Sequence, residues 1–295
     1  VIAFMPRKWW RDNSDARTED GFLFASLMTA DKKVRSIGRV FKSSQIRRSG
    51  HAVEVPGQLS ISFLPESDRG QVYRLSFEMD GLQGSLDISC SASPFSPLPM
   101  GRKPGLVRTV FGGAEVGASD FTYVSQVPRG IASGTVTLGS QRVDVLGSAY
   151  HEQGRLDDLP QGLSGGWLWF HFLHPAWNIF GYPGVFLYAQ GPGGIMLSGI
   201  SVLSHTYGIR NPTFAGKGPH PRVYTGGEIY FKRGDLKIRI EADPGDTTNL
   251  ISFPAVDTKQ IWSTSVSAAR LEVEGQGEVK RLSGQIILES CWLDP

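Results

Sequence analysis

The reading of the chain turns on Gly147 to His174, GSAYHEQGRLDDLPQGLSGGWLWFHFLH. Its last eight residues, Trp167-Leu168-Trp169-Phe170-His171-Phe172-Leu173-His174, read as a β-strand, in which successive side chains point to opposite faces. Trp167, Trp169, His171 and Leu173 then share one face, and Leu168, Phe170, Phe172 and His174 share the other. Only the first face carries both Trp residues, so His171 is expected to hang in an aromatic-lined space. The polar cluster Tyr150-His151-Glu152-Gln153 lies one loop away and is placed to close over that space. Two further wall candidates are Tyr188, at the end of the apolar run Val185 to Tyr188, and Met100, in a Pro-rich segment.

Working outward, short runs of apolar alternation recur along the chain. Gln58 to Phe63, Val72 to Phe77, Ser85 to Ser89, Gly134 to Leu138 and Gln141 to Val145 alternate, and turn signals such as Asp68-Arg69-Gly70 and Asp80-Gly81 separate them. After residue 160 come Ile195 to Ser198, Glu228 to Phe231, Leu236 to Ile240, Ala269 to Val273 and Gly284 to Leu288. No helix-period segment exceeds about three turns. The expected fold class is therefore all-β and antiparallel, of sandwich or barrel type.

The segment Ser93 to Gly105 is too rich in Pro for a central strand, because each Pro removes a ladder donor; it reads as an ordered crossing segment. A second Pro/Gly-rich stretch, Gly208 to Gly227, reads as a connection between two groups of strands. It puts the expected boundary near residue 206, giving units 1–205 and 206–295, with Gly147 as the rival boundary. The second unit is short for a closed barrel and is expected to borrow strands from the first.

With 295 residues the chain is long enough for a sizeable core, and 40% apolar and 20% charged residues are ordinary for a soluble globular protein. A net charge of +2 gives no case for nucleic acid as a partner. The first fifty residues are locally basic, but without stacking platforms they read as a solvated face. No apolar run reaches the roughly 18 residues of a membrane span. Two Cys, Cys90 and Cys291, form no disulfide framework or zinc motif, and whether they pair is left open. The chain starts at Val1 without a Met or a signal peptide, compatible with a removed leader, which leaves the compartment open between cytoplasm and secretory pathway. Nothing in the sequence points to an oligomeric state.

Three short motifs dissolve on inspection. Gly162-Leu163-Ser164-Gly165-Gly166 fits the hydrolase pattern G-x-S-x-G, but no strand precedes the Ser and no helix follows it. His171 and His174, three apart on a strand, face opposite ways and cannot share one ion; no metal site is expected, with an ion held by His151, His171 and an acid as the alternative. Gly191-Pro192-Gly193-Gly194 lacks the helix of a dinucleotide fingerprint and reads as a hairpin turn; no cofactor site is expected.

At Gly147-Ser148-Ala149-Tyr150-His151-Glu152-Gln153, followed by Trp167-Leu168-Trp169, the chain resembles the lipocalin-like hydroxyneurosporene synthase/AttH family. Trp9-Trp10, Asp20-Gly21 and Pro99-Met100-Gly101 fall where that family has similar elements. The resemblance implies two tandem lipocalin-like antiparallel β domains with a pocket between them. Gly154-Arg155-Leu156 stands where the hydratase branch tends to have Asn-Trp-Gly, and Tyr150 to Arg155 looks more like the fungal lipocalin-like Diels–Alderases. That likeness implies a cofactor-independent pericyclase of secondary metabolism acting on a hydrophobic polyketide or terpenoid. A [4+2] cycloaddition needs no nucleophile, only a trapped conformer and a hydrogen bond to developing charge. If dehydration to a diene or quinone methide comes first, His151 and Glu152 are the candidate acid and base and Arg155 the oxyanion stabiliser. Tyr150, Gln153, Trp167, Trp169, His171, Met100 and Tyr188 are the candidate substrate contacts. The alternatives are a hydratase, dehydratase or isomerase of a terpenoid alkene, and a non-catalytic carrier of a lipid or pigment.

Overall fold

Alternation becomes strand through most of the described residues. The computed structural model describes residues 2–5, 20–67, 70–90, 92–96, 122–155, 167–183, 186–200, 207–215, 223–254, 260–275 and 277–293. Among them there is no α-helix, only two single 3₁₀ turns, at Ser43–Gln45 and Pro244–Asp246. The protein is all-β, and every strand pairing is antiparallel.

Three sheets account for the strands. β1 (Ile2–Met5), β2 (Asp20–Met28) and β3 (Val34–Lys42) form a small one in sequence order. A meander of seven follows: β4 (Arg47–Ser49), β5 (Ala52–Val55), β6 (Leu59–Ser67), β7 (Gly70–Met79), β8 (Leu82–Cys90), β9 (Thr122–Leu138) and β10 (Gln141–Arg155). The third sheet takes every later strand. β11 (Trp167–His174), β12 (Trp177–Tyr182), β13 (Phe186–Gly191) and β14 (Gly194–Ile200) form one wing. β15 (Tyr207–Ala215), β16 (Val223–Arg233), β17 (Leu236–Ala242), β18 (Thr248–Pro254), β19 (Gln260–Gly275) and β20 (Glu278–Leu293) form the rest. Its order is β14-β13-β12-β11-β20-β19-β17-β16-β15, with β18 also on β19. The expected division at 205/206 thus runs inside one sheet, whose strands come from both sides of it. The change of sheet in the chain falls between Arg155 and Trp167.

This third sheet must curl. β14 and β15 are its two ends, yet Ile200 and Tyr207 are consecutive strand termini, so the connection reaches at most about 25 Å. A flat path of the same strands would separate those edges by roughly 38 Å. Its concave face holds one apolar core: Leu168, Phe170 and Phe172 from β11, Ile229 and Phe231 from β16, Ile238 and Ile240 from β17, Leu271 and Val273 from β19, Ile286 and Leu288 from β20. β17 shows the pattern cleanly, with Ile238, Ile240 and Ala242 buried and Lys237, Arg239 and Glu241 exposed. A second core lies between the small sheet (Leu23, Ala25, Ile37, Phe41) and the meander (Val55, Leu59, Phe77, Met79, Leu82).

The stretch read as a connection, Gly208 to Gly227, is largely strand instead. Pro212 sits in β15, an edge strand, where a missing N–H disrupts no second ladder. The pairing with β16 skips from Arg210 to Thr213, and Asn211 takes a positive φ of 48°, so a bulge absorbs the Pro. By contrast, Gly191 to Gly194 makes the expected hairpin turn between β13 and β14. Gly134 is required in β9: at φ 151° an added Cβ would stand 2.1 Å from the Ser85 carbonyl oxygen. The basic start of the chain is partly paired on the surface, Lys33 with Asp31, Lys32 with Asp246 and Arg39 with Asp80. Such exposed pairs contribute about 0–1 kcal/mol each.

The third sheet also touches each of the other two. Ser26 and Ser36 hydroxyls both donate to the Leu250 carbonyl of β18, at 3.3 and 2.5 Å. At the second junction Arg129 of β9 donates to the Pro175 carbonyl between β11 and β12, 2.8 Å away, and aromatic side chains pack beside it.

Candidate functional site

β11 has strands on both sides, β12 and β20, so its ladder is fully used and its side chains divide between two faces. Leu168, Phe170 and Phe172 enter the concave core. Trp169 and His171 face the other way, toward β10. Register carries the aromatic row onward: His171 lies opposite Phe180, and Phe180 opposite Tyr188. Directly opposed residues share a face, so a ribbon of rings crosses three strands. Phe180 and Tyr188 stack at 4.8 Å and 20°, and His171 meets Phe180 edge-on at 5.7 Å. Tyr182, opposite Phe186, extends the same face, and on the β20 side Glu289 stands opposite Trp169.

The other half of the cluster comes from the meander. β10 is irregular on both sides of His151: Ala149 pairs with Gly130, His151 with Val127 and Glu152 with Ser125. The extra residues lie on β9, where Pro128 and Arg129 stand against Tyr150 alone, and such bulges re-aim side chains. Its ring lies 4.6 Å from His171, 4.9 Å from Phe180 and 5.6 Å from Trp169. Its hydroxyl donates to Glu152 Oε2 at 2.5 Å. Phe95, tied to Ser125 by an isolated bridge, packs on Phe180, Phe186 and Tyr188. The Pro-rich crossing segment therefore does reach the cluster, through Phe95.

Polar atoms in this enclosure are few and strongly placed. His171, 1% exposed, is held by Asn178, whose Oδ1 lies 2.5 Å from Nε2; Asn178 Nδ2 donates in turn to the Pro128 carbonyl of β9. Burial drives His171 down to about 4, only partly offset by Asn178, so the ring is neutral at ordinary pH. Burial also raises Tyr182 well above its usual value, helped by the charges of Glu152 and Glu289, which keeps its hydroxyl protonated. Trp169 Nε1 and His171 Nδ1 are buried without a hydrogen-bond partner among the described residues.

Of the expected site residues, Tyr150, Glu152, Trp169, His171 and Tyr188 come together. His151 is adjacent but rests on Tyr73 of β7, rings 5.2 Å apart, in a small cluster that continues to Phe63. Burial brings it also to about 4. Gln153 and Arg155 lie in β10 and Trp167 opens β11, but their side chains fall outside the described residues, as do Met100 and Gly162 to Gly166 entirely. Phe95, Asn178, Phe180, Tyr182, Phe186 and Glu289 were not anticipated. A sequence signal existed for Asn178, a lone amide in the apolar run Trp177 to Tyr182.

His174 stacks on Phe172 and accepts from the Ala176 N–H, whereas His171 faces Tyr150, so the two rings do part. Among the described residues no group of three or more His, Cys, Asp or Glu is placed to hold a metal ion. An open depression of about 400 Å³ lies elsewhere, at the β16–β17 and β19–β20 turns, rimmed by Lys232, Asp235, Lys237 and Glu274. That charged rim lacks the apolar walls of an organic-substrate site. The aromatic cluster has the right chemistry: flat apolar walls, a neutral imidazole and a Tyr–carboxylate pair.

No protein-family model matches this sequence, and no curated protein matches it. Solved structures do. Kievitone hydratase from Nectria haematococca superposes with a TM-score of 0.59 at 12% identity, over 92% of this chain and 80% of its own. An AttH candidate from Nitrosomonas europaea gives 0.60 at 14% identity, over 97% and 85%. CghA, solved also with Sch210972, gives 0.53 at 10% identity, over 99% of this chain and 87% of its own. At such identities the likeness is one of fold, and this chain has the lipocalin-like β fold of these proteins.

Proposed function

We propose that the chain is a cofactor-independent enzyme of secondary metabolism that takes a hydrophobic polyketide or terpenoid at the aromatic cluster and closes a ring by a stereocontrolled [4+2] cycloaddition. The observation that supports this most is the cluster itself, where Trp169, His171, Phe180 and Tyr188 of the curled sheet face Tyr150 of the meander and Phe95 of the crossing segment. In the reaction two new σ bonds form from the substrate's own π electrons, and no atom is gained or lost. Flat walls contribute by selecting one folded conformer, which removes orientational entropy from the barrier. A hydroxyl such as Tyr182 or Tyr150 supplies a hydrogen bond as charge develops on a substrate carbonyl. The shared fold with CghA, solved also with Sch210972, adds support.

A second reading has its own observation. Tyr150 and Glu152 form a hydrogen-bonded acid–base pair beside Tyr182, and the TM-score to kievitone hydratase, 0.59, is above the 0.53 to CghA. Adding water to an alkene delivers a proton to one carbon and hydroxide to the other; dehydration is the reverse and would precede cycloaddition where a diene or quinone methide must first be made. In either direction we assign the proton work to Glu152 and Tyr150, since His151 turns to Tyr73. Mass spectrometry with chiral separation distinguishes the cases. A cycloadduct keeps the substrate's mass and appears as one enantiomer; hydration or dehydration changes the mass by one water. A carrier returns its ligand unchanged, and that outcome sinks both readings.

A further inference from the structure

Asn178 does more than fill a strand. Its Nδ2 donates to the Pro128 carbonyl, which fixes the amide with Oδ1 toward His171 Nε2. An amide oxygen only accepts, so Nε2 must carry the proton, and the neutral ring then bears its lone pair on Nδ1. Nδ1 is buried and meets no donor. Two residues back on the same face, Trp169 Nε1 is buried and meets no acceptor, and an indole nitrogen only donates. The two rings lie 5.9 Å apart, edge to face at 69°. Tyr150, the other polar ring against His171, already directs its hydroxyl to Glu152. Buried polar groups left unmet are rare in folded proteins. Here one donor and one acceptor stand unmet side by side, within the aromatic cluster.

We propose that Trp169 Nε1–H and His171 Nδ1 form a two-point socket for one neutral hydroxyl on a flat apolar ligand, a phenol or an enol. The ligand oxygen accepts from the indole and its proton is donated to the imidazole lone pair. Asn178 is a positioning residue that sets the tautomer. This rests on the reading of the cluster as the substrate site and names the functional group the site selects. A hydroxyl satisfies both atoms, whereas an ether or ketone accepts from Trp169 and leaves Nδ1 bare. Sites built to bond a substrate hydroxyl reject analogues that lack it, because the protein group is then left unpaired.

The test compares 2-naphthol with 2-methoxynaphthalene, titrated into the full chain and followed by tryptophan fluorescence and calorimetry. Expected is a preference for the naphthol of about two- to tenfold, the worth of one net hydrogen bond. In His171→Phe the preference should fall to about one, with the ether bound as before. Equal affinities in the unsubstituted protein, as when a fixed internal water already serves both atoms, would overturn the socket; so would a preference that survives His171→Phe, or no binding of either probe. Imidazole ¹⁵N spectra give a readout that needs no variant. His171 should show a protonated Nε2 and a bare Nδ1 at pH 7, with Nδ1 moving when the naphthol is added. An Nδ1–H tautomer overturns the assignment. In Asn178→Asp a carboxylate beside Nε2 favours the doubly protonated ring, and the naphthol preference should vanish although His171 remains. Turnover of a substrate at the cluster without naphthol preference would reject the socket and leave the proposed enzyme; naphthol preference without any turnover would do the converse.

Discussion

The two faces of β11 are made by alternate residues of one strand, and they are built on opposite principles. On one, Leu168, Phe170 and Phe172 enter an apolar core shared by six other strands of the curled sheet. On the other, Trp169 and His171 are as deeply buried, yet carry nitrogen atoms without partners and a ring whose proton is placed by a neighbour. The first face contributes to stability with every methylene. The second carries a standing cost, since each unmet buried polar group is worth about 1–3 kcal/mol against the fold. Such a cost on one face, beside a Tyr–carboxylate pair, is what supports the proposal that the molecule acts there.

The widest test of that contrast is acid. His151 and His171 are both held neutral in the fold, down to about 4, by burial. The unfolded chain binds a proton at each below about 6.5, and the folded chain does not until about pH 4. Stability should therefore be level above pH 7 and fall as pH drops through that window, by on the order of 3 kcal/mol for each His. Denaturant melts at half-unit pH steps measure it, and His151→Phe should remove part of the slope. A profile level from pH 7 to 5 would show that these rings are protonated in the folded chain.

Next come the two faces themselves. Phe170→Ala should lower stability by about 3–5 kcal/mol, the usual result of emptying a buried aromatic site. Trp169→Phe, one residue away, keeps an aromatic body and removes an N–H that has no partner, so it should cost less than about 1.5 kcal/mol or even stabilise. Equal losses would mean that both faces are ordinary core.

The division between those faces was legible in the sequence because strand periodicity is two and admits only two assignments for Trp167 to His174. The all-β class was legible for the same reason. What lay hidden were matters of register. Phe180 and Tyr188 join His171 only because β11, β12 and β13 pair as they do, and Glu289 reaches Trp169 from more than a hundred residues away along the chain. Tyr150 and His151 part company as neighbours on a strand do, but the shift in their pairing with β9 could be found only from the register. The strand character of Gly208 to Ala215 was concealed by Pro212, which an edge strand tolerates and an interior one does not.

Glu152 tests the chemistry of the polar face. Glu152→Gln keeps the shape and can still accept from Tyr150, but it cannot take up a proton near neutrality. If dehydration or hydration occurs at this site, the rate should fall by about 100-fold or more, while the melting temperature changes little. With a preformed diene the same variant should keep both rate and enantiomer ratio, because the aromatic walls are intact. A full rate on the hydrated precursor would leave conformer selection as the only work done here.

The smallest effect is expected at His151, although it has the side chain most often recruited for proton transfer. Its ring lies against Tyr73 rather than in the cluster around Trp169 and His171, and burial keeps it neutral. A base pushed to about 4 is a poor proton acceptor at pH 7, and acid–base help depends first on reach to the reacting atom. His151→Phe should therefore keep the contact with Tyr73 and change turnover by less than about threefold, against the 100-fold expected at Glu152. The two variants, assayed on the same hydrated precursor at pH 7 with melting curves beside them, decide the matter. A loss at His151 as large as that at Glu152, with folding intact, would place His151 in the proton path and show that the irregular pairing with β9 turns both side chains toward the substrate.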